Sequence, residues 1–393
     1  MDVDRPDPQT YLAQALTSPQ LPADLKPFFE ALQRFYDNRL WYQLTLTLDS
    51  FFAAPASAPF RIDLYHAFIS SFASKLAPLA HAKLAVSVAR TYQSGAEAVA
   101  FLDGLLGATP SSGVAVTEKE HPQPWVLLTM ERAHFKLLLG EADETKEAME
   151  KCEKALEQLD AVDLAVHASF YRVSGDYWKA KAEFADYYRN SLLYLACIDP
   201  SRDLSAAERQ ARAHDLGISA LLGSIYNFGE LLMHPILDSL VGTEQEVVRN
   251  LLFAFNKGDI VRFEGLVGEV AQKEEFLTQH FPFLREKICL LALIEAVFKR
   301  PTQDRTLPFS VISAEAQVPV DEVEHLVMKA LALNLIRGTL DQVSSTASIS
   351  WVQPRVLDKP QIDALRGRLA DWTDQVTAVG MEARGHAGEL LVQ

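Results

Sequence analysis

Ten histidines, three cysteines and several adjacent carboxylates are the residues of this sequence able to do acid–base, nucleophilic or metal chemistry. Their spacing withholds most of it. No two histidines lie within four residues of each other, so the His-x-His and His-Glu-x-x-His pairs that hold a catalytic zinc are absent. His134 and His325 fall inside amphipathic stretches, where a satisfied or exposed imidazole is the ordinary outcome. Cys152, Cys197 and Cys289 are widely separated and form no Cys-x-x-Cys pair. They imply neither a disulfide framework nor a zinc ribbon and read as small hydrophobes. Glu274-Glu275 and Asp321-Glu322 fall on polar helix faces or helix starts, which predicts solvated surface. No phosphate loop, dinucleotide fingerprint or nucleophile elbow is present. The sequence thus offers no catalytic, cofactor or metal site and predicts a protein that is not an enzyme.

Lys and Arg number 37 against 52 Asp and Glu, a formal net charge of −15. Nucleic-acid affinity rests on cations neutralising phosphates, so this balance opposes a nucleic-acid partner. The opening Met1-Asp-Val-Asp-Arg-Pro-Asp-Pro8 is acidic and Pro-rich, unlike a secretory signal. The longest apolar run, Ile288–Ile294, is closed by Glu295, far short of the roughly 18–20 residues that span a bilayer. These features predict an intracellular chain in a reducing compartment, with no membrane partner.

The elements are overwhelmingly helical. Residues 24–37 space Leu25, Phe28, Phe29, Leu32 and Phe35 along one helix face. In 39–52, leucines alternate with threonine as in a strand, but the helical neighbours favour helix. Further helices are predicted near 60–76, 79–92, 95–107 and 123–139, with a connector at 53–59 and a loop at 108–124. Gly140 before Asp143, Gly175 before Asp176 and Gly258-Asp259 read as helix ends followed by caps. The first two recur near the roughly 34-residue period of tetratricopeptide-like hairpins. After a flexible 1–10, an α-solenoid of such hairpins is predicted over 11–240 and further hairpins over 241–305.

The pattern changes at 306–357. An extended Thr306–Phe309, a helix at 310–317, a turn, a helix at 321–336 begun by Asp321 and ended by Gly338, and short strands at 339–343 and 347–352 follow in the order of a winged helix. Its second helix would be the DNA reader, yet it starts with Asp321, Glu322 and Glu324 against a single Lys329. That favours a protein–protein module. After the connector Asp358-Lys359-Pro360, a helix over 360–384 precedes a flexible 385–393. Ile362, Leu365, Leu369, Trp372, Val376 and Val379 recur in it at alternating three- and four-residue steps, an a/d heptad stripe. Six such side chains are worth roughly 9–18 kcal/mol when fully buried. Association costs of about 4–15 kcal/mol offset much of this, so the stripe suits a bundle of several helices.

Phe255-Asn-Lys-Gly258-Asp259-Ile260-x-x-Phe263, then Leu284-Arg-Glu-Lys-Ile288 continuing to Phe298, then the winged helix, resemble the PCI domain. That domain builds scaffolds of the proteasome lid, the COP9 signalosome and translation initiation factor three. Leu192–Asp199, Asn227–Pro235, Val323–Leu331, Trp351–Leu357 and Leu40–Leu46 more specifically resemble the PCI-domain lid subunits of the 26S proteasome regulatory particle. Most of the chain is covered; the 108–124 loop and the last dozen residues are not. The resemblance implies a mainly α protein: a solenoid, a PCI domain with a small β-sheet, and a C-terminal amphipathic helix. It implies a scaffold of lid assembly and ubiquitin-dependent degradation, in cytoplasm and nucleus, within a hetero-oligomer of PCI and MPN-domain subunits. The wing strands, with Ile349 and Trp351, would supply sheet contacts, and the Ile362–Val379 stripe would enter a helical bundle. A signalosome or initiation-factor scaffold is the alternative.

Overall fold

The computed structural model describes residues 8–17, 22–107, 116–300, 305–354 and 359–387. Most of the expected flexible N-terminus, the first half of the 108–124 loop, Asp358 and most of the expected flexible tail lie outside the described residues. The described chain divides into two compact units, Met1–Ser205 and Ala206–Gln393, earlier than the expected solenoid end at 240.

The first unit is helical throughout its described residues: α1 (Pro8–Thr17), α2 (Lys26–Asp37), α3 (Trp41–Ala53), α4 (Arg61–Leu64), α5 (Ser70–Phe72), α6 (Pro78–Ala89), α7 (Gly95–Leu106), α8 (Pro122–Leu138), α9 (Ala142–Glu157), α10 (Leu164–Ala180), α11 (Phe184–Cys197) and α12 (Pro200–Asp203). The alternating stretch 39–52 is helical from Trp41 onward, as α3, which buries Leu44, Leu48 and Phe51 at helical spacing and leaves Leu46, and Leu40 just before it, exposed. A π-helical turn, Tyr65–Ile69, separates α4 from α5 and buries Tyr65, Phe68 and Ile69 together. Helix α8 begins at Pro122, inside the expected loop.

The second unit contains α13 (Ala206–Leu222), α14 (Gly229–Met233), α15 (Glu246–Lys257), α16 (Ile260–Lys273), α17 (Glu275–Thr278), α18 (Phe281–Phe298), β1 (Thr306–Pro308), α19 (Phe309–Ala316), α20 (Val320–Ala332), β2 (Ile336–Asp341), β3 (Thr346–Val352) and α21 (Lys359–Ala387). The strands form an antiparallel sheet of order β1-β3-β2, with Thr306 opposite Ser348 and Thr339 opposite Ser348 on the other side. Helix α20 stops at Ala332, so β2 starts earlier than predicted and Gly338 lies within it.

Gly140 and Gly258 end helices as predicted, at φ +95° and +64°. Gly175 does not. It sits in the middle of α10, where a Cβ would come 3.5 Å from the Ser191 Oγ of α11, an ordinary van der Waals contact. The residue equivalent to Gly140 is Ala182, at φ +59°. Gly140 and Glu141 donate to the carbonyls of Leu137 and Lys136; Ala182 and Glu183 donate to those of Lys179 and Trp178 in the same pattern. Arg39, Gly258 and Asn334 close α2, α15 and α20 with this double bond too. The hairpin repeat is therefore carried by a backbone motif in which glycine is optional.

Two buried ionic groups tie helices together. In the first unit the Glu131 carboxylate of α8 is fully buried, and accepts from Arg90 Nε at 2.7 Å and Arg172 Nη2 of α10 at 2.6 Å. Burial alone would push its carboxyl up; Arg172 and Arg90 overcome this and hold it below the ordinary range. In the second unit Lys287 of α18 is buried and donates to the carbonyls of Ala220, Leu221 and Gly223 at 2.7, 2.9 and 2.7 Å. The rings of Tyr226, Phe228 and Phe283 surround its ammonium.

Gly258→Ala should cost about 2 kcal/mol or more in urea unfolding, because φ is positive and the new Cβ would meet Ala292 Cα at 2.7 Å. Ala182→Gly should gain up to about 1 kcal/mol by relieving the left-handed strain. Glu131→Gln should cost about 3–5 kcal/mol near neutral pH, by leaving Arg172 buried with its charge uncompensated. Because the folded carboxyl titrates low, its stabilisation is complete above the unfolded value of about 4.3 and is lost as pH falls through the folded one. The gap between wild type and Glu131→Gln should accordingly shrink in acid.

Candidate functional site

Among the described residues, no three His, Cys, Asp or Glu side chains gather as metal ligands. His134 Nδ1 lies 3.5 Å from Asp176 Oδ2. Burial, with Arg172 adding to it, pushes the His134 imidazole down. His325 lines a groove of about 730 Å³ between α18 and α20, shared with Arg285, Cys289 and Glu322. Burial raises the Cys289 thiol, so it stays protonated there. Cys152 is buried and its thiol is pushed up to about 12. Glu274 departs from the expected solvated surface: it accepts from His214 Nε2 at 2.7 Å, tying the end of α16 to α13. Nothing in this set pairs a nucleophile with a base.

The surfaces available for contact lie elsewhere. Helix α21 runs for 29 residues, and all its described side chains are exposed. At 1.5 Å per residue it is roughly 43 Å long. The Ile362, Leu365, Leu369, Trp372, Val376 and Val379 side chains are 44–64% exposed. Other helices bury the corresponding stripe: α15 buries Val247, Val248, Leu251, Leu252 and Phe255. Beside the α21 seam, Arg366 Nη2 contacts Asp363 Oδ1 at 2.7 Å.

On the winged helix, Ile349 is a correction to the sequence reading. Its side chain is 4% exposed and belongs to the core with Leu307, Phe309, Ile312, Leu326 and Ala347, so it is closed to partners. The strand alternates Ala347 and Ile349 inward against Ser348 and Ser350 outward. A register irregularity between Arg337 and Gly338 then leaves Trp351, paired with Arg337, at the margin. Trp351 is 36% exposed and carries the Arg337 guanidinium 4.8 Å from its ring centre. Sequence reading missed Val343, 98% exposed in the turn that Asp341 holds by accepting from the Val343 and Ser344 backbone N–H groups.

Asp321, Glu322 and Glu324 are not in the core, and Asp321 and Glu322 occupy the first turn of α20. Lys329 pairs with Glu286, spending the helix's one lysine on α18. A groove of DNA phosphates would meet carboxylates there.

The family described as PSD13 N-terminal repeats matches residues 28–252, and the PCI domain matches residues 268–351. The 26S proteasome regulatory subunit RPN9 of Saccharomyces cerevisiae is 39% identical, over 92% of this chain and 94% of its own. The chain belongs to this family of 26S proteasome regulatory subunits. The 26S proteasome non-ATPase regulatory subunit 13 homolog A of Arabidopsis thaliana is 40% identical, over 94% of this chain and 96% of its own. COP9 signalosome complex subunit 7 of Dictyostelium discoideum is 28% identical over only 38% of this chain. In this RPN9/PSD13 family member the repeat match runs past the division at Ser205, through α13 and most of α15. The PCI match runs from the last part of α16 to β3 and stops short of α21. The α21 stripe thus lies beyond both matched domains.

An acidic α20 predicts that the full chain passes through heparin and duplex DNA columns unretained at low salt. Retention that falls steeply as salt rises would instead identify a phosphate-binding surface.

Proposed function

We propose that this chain is a non-catalytic structural scaffold of the 26S proteasome lid, acting in ubiquitin-dependent degradation by holding neighbouring subunits in place. The observation that carries this reading is the α21 stripe: six large apolar side chains aligned on a helix that has no core of its own to bury them. In this reading the stripe enters a helical bundle formed with other PCI and MPN-domain subunits. Trp351 and the outer edge of β2 would add contacts between winged helices. Strand β2 pairs only with β3 among the described strands, so its other edge has backbone donors and acceptors to offer.

The hetero-oligomer follows from the same observation. A single exposed heptad seam with net favourable burial of only a few kcal/mol binds one helix weakly, and several helices well. Support for cytoplasmic and nuclear placement is the family membership. Among the described residues no helix is long and apolar enough to cross a membrane.

Leu369→Asp combined with Trp372→Asp should leave the melting temperature of the purified chain unchanged, because both side chains are exposed. Recovery of lid and ATPase subunits with the tagged chain, read by mass spectrometry from its own cells, should fall sharply. A large loss of melting temperature would assign the helix to its own core. Recovery of signalosome or initiation-factor subunits with the wild type would overturn the choice of complex.

A further inference from the structure

Helices α9, α10 and α11 of the first unit enclose a groove of about 500 Å³ that the scaffold reading does not use. Its floor is apolar, with Leu156, Phe170 and Trp178. On one wall His167 stacks on Tyr171, ring centres 5.9 Å apart and planes within 12°. Carboxylates line it as well: Glu153 and Glu157 from α9 and Asp186 from α11, against the single cation Arg189. Glu153 and Glu157 are exposed, so the groove meets solvent with net negative charge. Ser174 also lines it. That residue is 1% exposed, and its Oγ has no hydrogen-bond partner among the described residues. The buried His167 Nδ1 is unpartnered in the same way.

We propose that this groove docks a partner's peptide segment carrying an arginine flanked by aliphatic residues. A volume of this size holds a few side chains. An aliphatic neighbour fits the Leu156–Phe170 floor. A cation is favoured over an anion by the carboxylate excess at the rim. Arginine is favoured over lysine because its planar guanidinium lies flat on an aromatic face while its edge forks onto a carboxylate. Rings and carboxylates occur together here, which is the combination a guanidinium uses and a compact ammonium uses less well. This inference stands apart from the lid reading, since neither α21 nor the winged helix takes part.

The test is fluorescence anisotropy of a dye-labelled Gly-Ser-Leu-Arg-Leu-Ser-Gly peptide with the full-length chain. Saturable binding is expected. It should weaken about tenfold or more when the peptide arginine becomes glutamate, and several-fold when it becomes lysine. In the protein, Glu153→Lys with Glu157→Lys should weaken binding by about tenfold or more. Asp371→Lys with Asp374→Lys on α21, an equal change of net charge, should leave it within about twofold. Leu193→Arg, at the exposed margin of the groove, supplies a second variant by putting a guanidinium there in advance, and should block the peptide. Absence of saturable binding, or equal losses from the α9 and α21 double variants, would overturn the proposal.

Discussion

One buried ammonium organises the second unit. Helix α18 is apolar on almost every side, burying Leu284, Ile288, Leu290, Leu291, Leu293, Ile294 and Val297, and only one charged side chain on it, Lys287, is withdrawn from water. An isolated ammonium in that position would cost far more than the surrounding packing returns. Burial pushes Lys287 down to about 7, and the site offsets this with three carbonyls and three aromatic faces. The acceptors are the last carbonyls of α13 and the loop behind it, the negative end of that helix. The bond therefore satisfies two problems at once: a buried cation and an open helix terminus. It fixes α13 against α18, on which α15 and α16 also pack. The α15–α16 turn comes so close to Ala292 that only Gly258 fits, and α19, α20 and β3 also pack on α18.

The first unit solves the same problem differently. Its buried charge is a carboxylate, and two arginines from different helices answer it. Loss of Glu131 would leave two arginines without their shared counter-charge, so the carboxylate ties α10 and the end of α6 to α8. A stack of hairpins linked in this manner has a stiff interior and many open faces. The groove between α9, α10 and α11 is one such face. Phe170, Tyr171 and Trp178 of α10 line it.

Helical class, the winged helix and the terminal stripe were legible because each rests on local periodicity, which a single sequence carries. What failed had a tertiary cause. Gly175 resembled a helix end because glycine so often closes one, whereas α10 runs on through it, a continuation set by packing. Ala182 was passed over because it adopts a glycine-like φ without being glycine, so its hairpin went unmatched with that of Gly140. Ile349 was given to partners because period two says which residues share a face and not which face is inside. Glu274 was assigned to solvent because its partner, His214, lies on a helix distant in sequence. The peptide groove left no sequence signal at all: its lining comes from three helices, and each residue in it reads alone as ordinary surface or core.

The period of the α21 stripe itself limits what can cover it. Alternating three- and four-residue steps average 3.5, whereas a straight helix turns every 3.6 residues, so the seam drifts around the helix unless the helix supercoils. Over the two and a half heptads of the stripe a drift of roughly 20° per heptad sums to about 50°, so a flat face covers the seam less evenly than a helix wound with it. Other helices of the same period, wound with it in a left-handed sense, stay in register along all of its length. Arg366 and Arg368 precede Leu369 on this helix, and Arg366 is paired with Asp363. A stripe of this period therefore suits other helices better than a flat face as its cover.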